Sequence, residues 1–545
     1  MKYLLTICLL WMTVVNVIAD YDSKQEVDPS QLEFHRLSVR RFIFSNNINL
    51  NEFVPSEIVA FGSMHPAFQI SDNNKPQPDD SFHAQIEKGV LTLNQECGNQ
   101  DASIYIGGVN PYATYEIDID SISPEKETDA TIIGMELARL GLRDRIQIYA
   151  SVSQQESGIF LRIYKDTKLV RETSFSNTIP QGKFSLKAQL YGHTLAVFIT
   201  QYGETHLLGY VRPQDHFGDI LDFRKQKDAK ESTFNLISNL KGQTQISGAR
   251  SYLSPGMGQA DIRVVSYEDL TPYIENGRIW FTFSCRGLDT SQSAQGIFSL
   301  NPSVFDLQFE GMIVFDHGDS LLRNDYASHL FFDRQAKEWR AWVSDFGGSA
   351  NLDRRSETGL VTATSKTDPR RGFSVMKATR VTTEQLDGHN EDPCIFYDKE
   401  DNKWKLLTSA FVNNDITSRT YESDTWNGVF KPVASPIDIN STGTTIQRFG
   451  NKYYALMGGH GNLRVHSFPD LKQLGELNLS LQPHWPKPAG RIWASVVPLP
   501  EGYPYRYILL TMDRANFPNV QDRNWSYGAL YFYGAELPVS NTSRQ

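Results

Sequence analysis

One strand pattern recurs five times in the second half of the chain, and it constrains the fold more than any other feature. Each copy has a basic or polar residue, then an aromatic, then alternating apolar residues that end on a small or unbranched one. The copies are Arg278-Ile279-Trp280-Phe281-Thr282-Phe283-Ser284, Glu338-Trp339-Arg340-Ala341-Trp342-Val343-Ser344, Lys403-Trp404-Lys405-Leu406-Leu407-Thr408-Ser409, Lys452-Tyr453-Tyr454-Ala455-Leu456-Met457-Gly458 and Arg506-Tyr507-Ile508-Leu509-Leu510-Thr511-Met512. Alternation with period two is the mark of a pleated strand. A second apolar strand precedes each copy, and turns such as Asp398–Lys403 and Phe449–Lys452 join the pairs. The copies lie about 50 to 65 residues apart, which leaves room for four strands in each unit. Residues 251–545 therefore predict a five-bladed β-propeller.

The stretch 20–250 is also β-rich but has no such repeat. Ala102–Ile106, Tyr115–Ile119, Gly158–Tyr164 and Thr194–Ile199 alternate apolar and polar residues, and Arg145–Ile199 reads as four or five successive strands. The expectation is a β-sandwich of the concanavalin or laminin-G type, so the whole chain is all-β. Such a sandwich can bind a glycan or act as a prop, and the sequence does not separate the two. Residues 1–19 carry Lys2 and an apolar run from Tyr3 to Val15, the pattern of a secretory signal. A periplasmic or secreted location is expected, with no membrane anchor. Cys97, Cys285 and Cys394 are an odd, widely spaced set and read as small buried hydrophobes. A net charge of -10 argues against nucleic acid as a partner. Oligomeric state is not legible.

Propeller geometry narrows the search for chemistry. The start of a blade's first strand and the end of its second share one face of the ring, because the two run antiparallel. The starts carry Asp261, Asp325, Glu391-Asp392-Pro393 and Ser441-Thr442-Gly443. The ends carry Cys285-Arg286-Gly287, Asp345-Phe346-Gly347-Gly348, Gly459-His460-Gly461 and Asp513-Arg514. Acids and bases from different blades would then converge on one central funnel. Arg286, Arg323 and Arg514 are candidates to grip a carboxylate or sulfate, or to form rim salt bridges. His389 and Asn390 can line the funnel or cap a turn. Asp325 and Asp345 are substrate-binding candidates, with strand capping as the plainer role, and Asp513 is a further substrate-binding candidate. Trp339, Trp404 and Trp485 read as packing.

Gln259-Ala260-Asp261 on the first blade and Glu391-Asp392-Pro393 on the third resemble the signatures of the five-bladed propeller glycosidases of glycoside hydrolase families 32, 43, 68 and 117. The resemblance spans about 290 residues. It implies Asp261 as general base or nucleophile and Asp392 as the residue that orients substrate and tunes the acid. Those families often carry a glutamate near the fourth-blade entry as general acid. Here that entry is Ser441-Thr442-Gly443-Thr444, with no carboxylate. His460 and Glu391 are the alternatives. A histidine titrates near neutrality, and family 117 enzymes use a histidine acid. Adjacent residues of an extended strand point oppositely, so Glu391 and Asp392 would not both face the funnel. His460 is preferred.

The resemblance implies a secreted glycoside hydrolase, exo-acting on a plant or algal polysaccharide or its oligosaccharides. Two other functions remain open: a polysaccharide lyase on a uronate-containing glycan, and a non-catalytic glycan-binding protein. No Gly-x-Ser-x-Gly elbow, phosphate loop or His-Glu-x-x-His motif occurs. No cofactor is expected and no metal ligand set is read. A structural Ca²⁺ in the channel is known in such propellers but nothing in the sequence indicates one.

Overall fold

The computed structural model describes residues 26–55, 68–72, 75–76, 82–95, 100–124, 130–139, 141, 143–153, 157–211, 222–239, 241–287, 292–346, 359–412, 415–437, 439–459, 461–483, 485, 492–513 and 528–537. The expected signal at 1–19, and Cys97, His460 and Arg514, lie outside the described residues. What is described is almost entirely β-structure, with one short α-helix at Gln226–Lys230. Among the described residues no helix is long and apolar enough to cross a membrane.

The first part contains two antiparallel sheets of eight strands. One runs through Thr131–Arg139, Arg145–Val152, Ser157–Lys165 and Lys168–Ser176. The other is built on Thr114–Pro124, Phe184–Tyr191, Thr194–Gln201 and Gly242–Leu253. Alternate residues of both sheets meet in one core: Ile117, Ile133, Met135, Ile148, Leu161, Leu186, Val197 and Ile246 are all buried in it. The remaining positions hold charges that must be matched to stay buried. Glu116 is one, and it is met by Arg250, Lys187 and the Tyr252 hydroxyl.

The second part is a propeller-like ring of sheets. The first and second four-stranded units begin with Gly258–Val264 and Tyr326–Asp333. Their outer strands, Asp306–Asp316 and Gly372–Arg380, pair in parallel and join the two units edge to edge. The third and fourth sheets begin with Asn390–Asp398 and Thr442–Phe449. The fifth contains Ser495–Pro498, Tyr507–Met512 and Leu530–Ala535. The five repeats read from sequence coincide with the second strand of each unit: Arg278–Arg286, Glu338–Ser344, Lys403–Val412, Lys452–Gly459 and Tyr507–Met512. First strands of successive units lie against one another, and the first unit's lies against the fifth's. The innermost strands thus meet in cyclic order.

Glu33–Arg40, assigned by sequence to the first part, pairs antiparallel with Leu530–Ala535 and adds a strand to the fifth sheet. The chain then leaves the ring, builds the two eight-stranded sheets and returns. Cys285 and Cys394 are buried and unbridged in the ring, as expected of small apolar side chains. Trp339 and Trp404 are core residues, and Trp485 donates its indole N–H to the Met512 carbonyl.

Candidate active site

Four backbone irregularities shape the mouth of the ring. The first strand of each of the first four units shifts register against its neighbour at one place. The shifts fall between Ala260 and Arg263, Tyr326 and His329, Glu391 and Cys394, and Thr442 and Thr445. Within each shift one residue has positive φ: Asp261 at 52°, Ala327 at 56°, Asp392 at 56° and Gly443 at 66°. Left-handed backbone costs a non-glycine residue about 1–2 kcal/mol, and aspartate tolerates it better than most. Such bulges re-aim a side chain at a strand end. Only glycine serves at 443, where a Cβ would also meet the Trp493 ring at 2.9 Å.

Asp392 is held from four units. Its Oδ2 accepts from Ser409 Oγ at 3.3 Å, Thr442 Oγ1 at 3.0 Å and the Gly443 N–H at 3.3 Å. Its N–H donates to Ser344 Oγ at 2.9 Å. Its carbonyl accepts from Thr444 Oγ1 at 2.9 Å and from an Arg263 Nη at 3.3 Å. Arg263 is itself buried, reaches Thr445 Oγ1 at 3.4 Å and lies over the Trp493 ring. Burial raises the Asp392 pKa above the usual carboxylate range. The charge of Asp261 raises it further, while Arg263 and the donors from Thr442 and Gly443 oppose the rise. The two aspartates therefore feel each other across the mouth. Asp261 forms an ion pair with Arg286 at 2.5 Å, and the Arg286 guanidinium stacks over Tyr326 at 4.6 Å.

The second unit and the connection leading into it hold another cluster. His317 Nε2 lies 2.9 Å from Asp325 Oδ2. Asp345 follows the second strand of that unit, and its Oδ2 accepts from Arg380 Nε at 3.1 Å and an Arg380 Nη at 2.8 Å. Ligating atoms of His317, Asp325 and Asp345 all lie within 4.8 Å of one another, so among the described residues this set has the spacing to hold a metal ion. Burial, followed by the charge of Asp325, lifts the Asp345 pKa to about 6, against the opposing pull of Arg380 and His317. Phe346 packs on Tyr326 with ring centroids 4.7 Å apart, which links this cluster to Arg286 and Asp261.

The first part braces the same connection. Tyr112 donates its hydroxyl to the Leu322 carbonyl at 2.6 Å. The Leu322 N–H donates to the Arg224 carbonyl at 2.7 Å and the Gln226 N–H to the Ser320 carbonyl at 3.1 Å.

Other candidates occupy humbler positions. Arg323 forms a two-pronged pair with Asp319. Asn390 donates to the Asp387 and Gly388 carbonyls and accepts from Thr408 and Tyr421, which makes it a turn fastener. The His389 ring packs edge-on against Phe411 at 4.8 Å. Asp513 accepts from the Ala529 N–H at 3.1 Å and the Tyr531 hydroxyl at 3.0 Å, tying two strands of the fifth sheet. Glu391 is buried at the register shift. The alternation rule that separated it from Asp392 does not operate there, because Asp392 is not extended.

No family model and no curated protein matches this chain. Solved structures do. A thermostable family-43 glycoside hydrolase aligns at 13% identity over 52% of this chain and 93% of its own, with a TM-score of 0.34. A family 117 glycoside hydrolase of the marine bacterium Zobellia galactanivorans aligns at 12% identity over 52% of this chain and 85% of its own, with a TM-score of 0.36. The catalytic domain of a Coprinopsis cinerea GH62 alpha-L-arabinofuranosidase aligns at 12% identity over 51% and 91%, with a TM-score of 0.35.

Sequence reasoning passed over His317, Tyr326, Arg263 and Arg380. His317 stands in the connection between two units, away from the strand starts and ends that propeller geometry singles out. The run Asp316-His317-Gly318-Asp319 was a usable signal there, being a histidine among turn-forming acids just before a strand. Arg263 offered none, since a buried arginine inside a strand looks like a surface residue.

Proposed function

We propose that the chain is an exported glycoside hydrolase, a β-sandwich followed by a five-bladed propeller whose ring is closed by Glu33–Arg40. It would remove terminal sugars from a plant or algal polysaccharide or its oligosaccharides. Asp261 is assigned as base or nucleophile and Asp392 as the residue that orients substrate. The carrying observation is that these two aspartates sit on matching left-handed bulges two units apart, with Arg263 of the first unit donating to the Asp392 carbonyl. Glycoside cleavage needs carboxyl groups flanking one bond in such a space. Of the donors expected from sequence, Glu391 is buried beside Asp392 and His460 is outside the described residues.

The arginines bear on the sugar. Arg286 and Arg323 are neutralised by Asp261 and Asp319, so neither offers an uncompensated charge to a uronate or sulfate. Among the described residues these two pairings lean towards a neutral sugar over the acidic one that a lyase requires; Arg514 lies outside them. The test is a screen of neutral and acidic plant and algal oligosaccharides with the wild type and Asp261→Asn side by side. Hydrolysis is expected from the wild type, reduced at least about 100-fold in the variant. Equal turnover by both would remove Asp261 from the mechanism. An unsaturated, ultraviolet-absorbing product would point to a lyase, and binding without turnover to a glycan-binding protein.

A further inference from the structure

We infer that the first part carries a glycan-binding site of its own. It lies on the outer face of the sheet that contains Arg145–Val152 and takes an extended, neutral oligosaccharide. The sequence alone left open whether the sandwich binds a glycan or serves as a prop; the strand register bears on that choice. In this sheet Ile104, Leu236, Leu137, Ile148 and Leu161 point into the core. Their neighbours in sequence therefore stand on the opposite face. One line of those neighbours crosses six strands. Tyr105 is paired with Asn235, Asn235 with Glu136, Glu136 with Gln147, Gln147 with Arg162 and Arg162 with Glu172. Adjacent strands are about 4.8 Å apart, so the line is about 24 Å long. Every side chain along it ends in a planar polar group or an aromatic ring.

The middle of the line is sunk and its ends are open. Asn235 and Glu136 are buried, whereas Tyr105 is 51% exposed and Glu172 is exposed as well. The polar groups are held in place before any ligand arrives. Gln147 Nε2 donates to Glu136 Oε2 at 2.8 Å, and Arg145 Nε lies 3.5 Å from the same oxygen. Arg162 Nε and the Tyr149 hydroxyl both donate to Glu172 Oε1, at 2.8 and 3.0 Å. The Arg162 guanidinium also lies over the Tyr149 ring at 4.8 Å, and that of Arg145 over Tyr164 at 4.1 Å. Such fixing lowers the entropy lost on binding. Sugar hydroxyls both donate and accept, and carboxylates, amides and a guanidinium are their planar partners. Tyr105 adds an exposed ring for the C–H face of a sugar. Charge narrows the class of ligand. Each carboxylate of the line is paired with an arginine, so no net field draws an acidic glycan or a phosphate backbone. The line has no aliphatic side chain for the dry centre of a protein interface. Its two carboxylates stand three strands apart, about 14 Å by strand spacing. Paired carboxyls that cleave a glycoside are about 5–9.5 Å apart, so this face binds and does not cut.

The test is calorimetric titration of the full chain, carrying Asp261→Asn to slow turnover of the ligand. Hexasaccharides of cellulose, xylan, mannan, laminarin and agarose are the neutral probes, and that of polygalacturonate is the acidic one. At least one neutral hexasaccharide is expected to bind. Tyr105→Ala and Gln147→Ala are each expected to weaken that binding at least about 10-fold. Tyr105→Phe keeps the ring and is expected to stay within about threefold. Tyr105 is exposed, so the urea midpoint of its alanine variant is expected to match the parent's, which separates lost binding from lost folding. No binding of any neutral probe, preference for the acidic one, or unchanged affinity in both alanine variants would each overturn the site. This site stands apart from the hydrolase reading. Binding here without turnover by the wild type would keep the site and remove the hydrolase, and turnover without binding here would do the reverse.

Discussion

Replacing Asp345 by asparagine should make the protein more stable at alkaline pH. The Asp345 pKa rises from 3.8 to about 6 on folding. A carboxyl with a higher pKa in the native state binds its proton more tightly there than in the unfolded chain. Native stability then falls as pH rises from the unfolded value towards the folded one, and the loss is complete above about pH 6. A shift of about 2 pH units corresponds to about 3 kcal/mol at most. Asparagine never ionises and escapes this loss. It keeps an oxygen for Arg380, but a neutral acceptor is weaker than a carboxylate by about 1 kcal/mol. The net expectation is a gain of about 1–2 kcal/mol at pH 8 that disappears by about pH 4. Urea denaturation of wild type and variant at both pH values measures it. A variant no more stable than wild type at pH 8, or a difference that does not change with pH, would refute the electrostatic account of this site.

Other substitutions probe the frame. Arg263→Met removes a buried donor that holds the Asp392 carbonyl, and should cost about 1–3 kcal/mol in denaturant unfolding. Ala327→Gly relieves a left-handed alanine and should be neutral to stabilising by up to about 1 kcal/mol, read as a shift in the denaturation midpoint. Tyr112→Phe leaves the Leu322 carbonyl without its buried donor and should cost about 1–3 kcal/mol, with faster hydrogen exchange in residues 316–325.

The parts of the fold that were legible in sequence are those set by local alternation. The second strand of every unit carries its own period-two signature, and five successive strands between Arg145 and Gln201 did the same. The strand Glu33–Arg40 was placed in the wrong company because its partner, Leu530–Ala535, is almost the whole chain away and leaves no local trace. Asp261 and Asp392 were singled out through position and motif. Their left-handed backbone was not, since a residue before proline is ordinarily extended and Asp392 precedes Pro393. That same assumption of extended backbone governed the choice between Glu391 and His460. The His317–Asp325–Asp345 cluster depends on how a connection folds back on a strand end, and composition does not encode such an approach.

Closure of the last sheet by Glu33–Arg40 gives the molecule a latch whose halves are made far apart in its synthesis. The early strand waits while the rest of the ring is produced, and its partner Leu530–Ala535 follows only after the other four units. The two eight-stranded sheets can form meanwhile, because their strands all lie between the halves of the latch. A chain that stops short of residue 530 would leave Glu33–Arg40 without that partner edge, a template for joining one polypeptide to another.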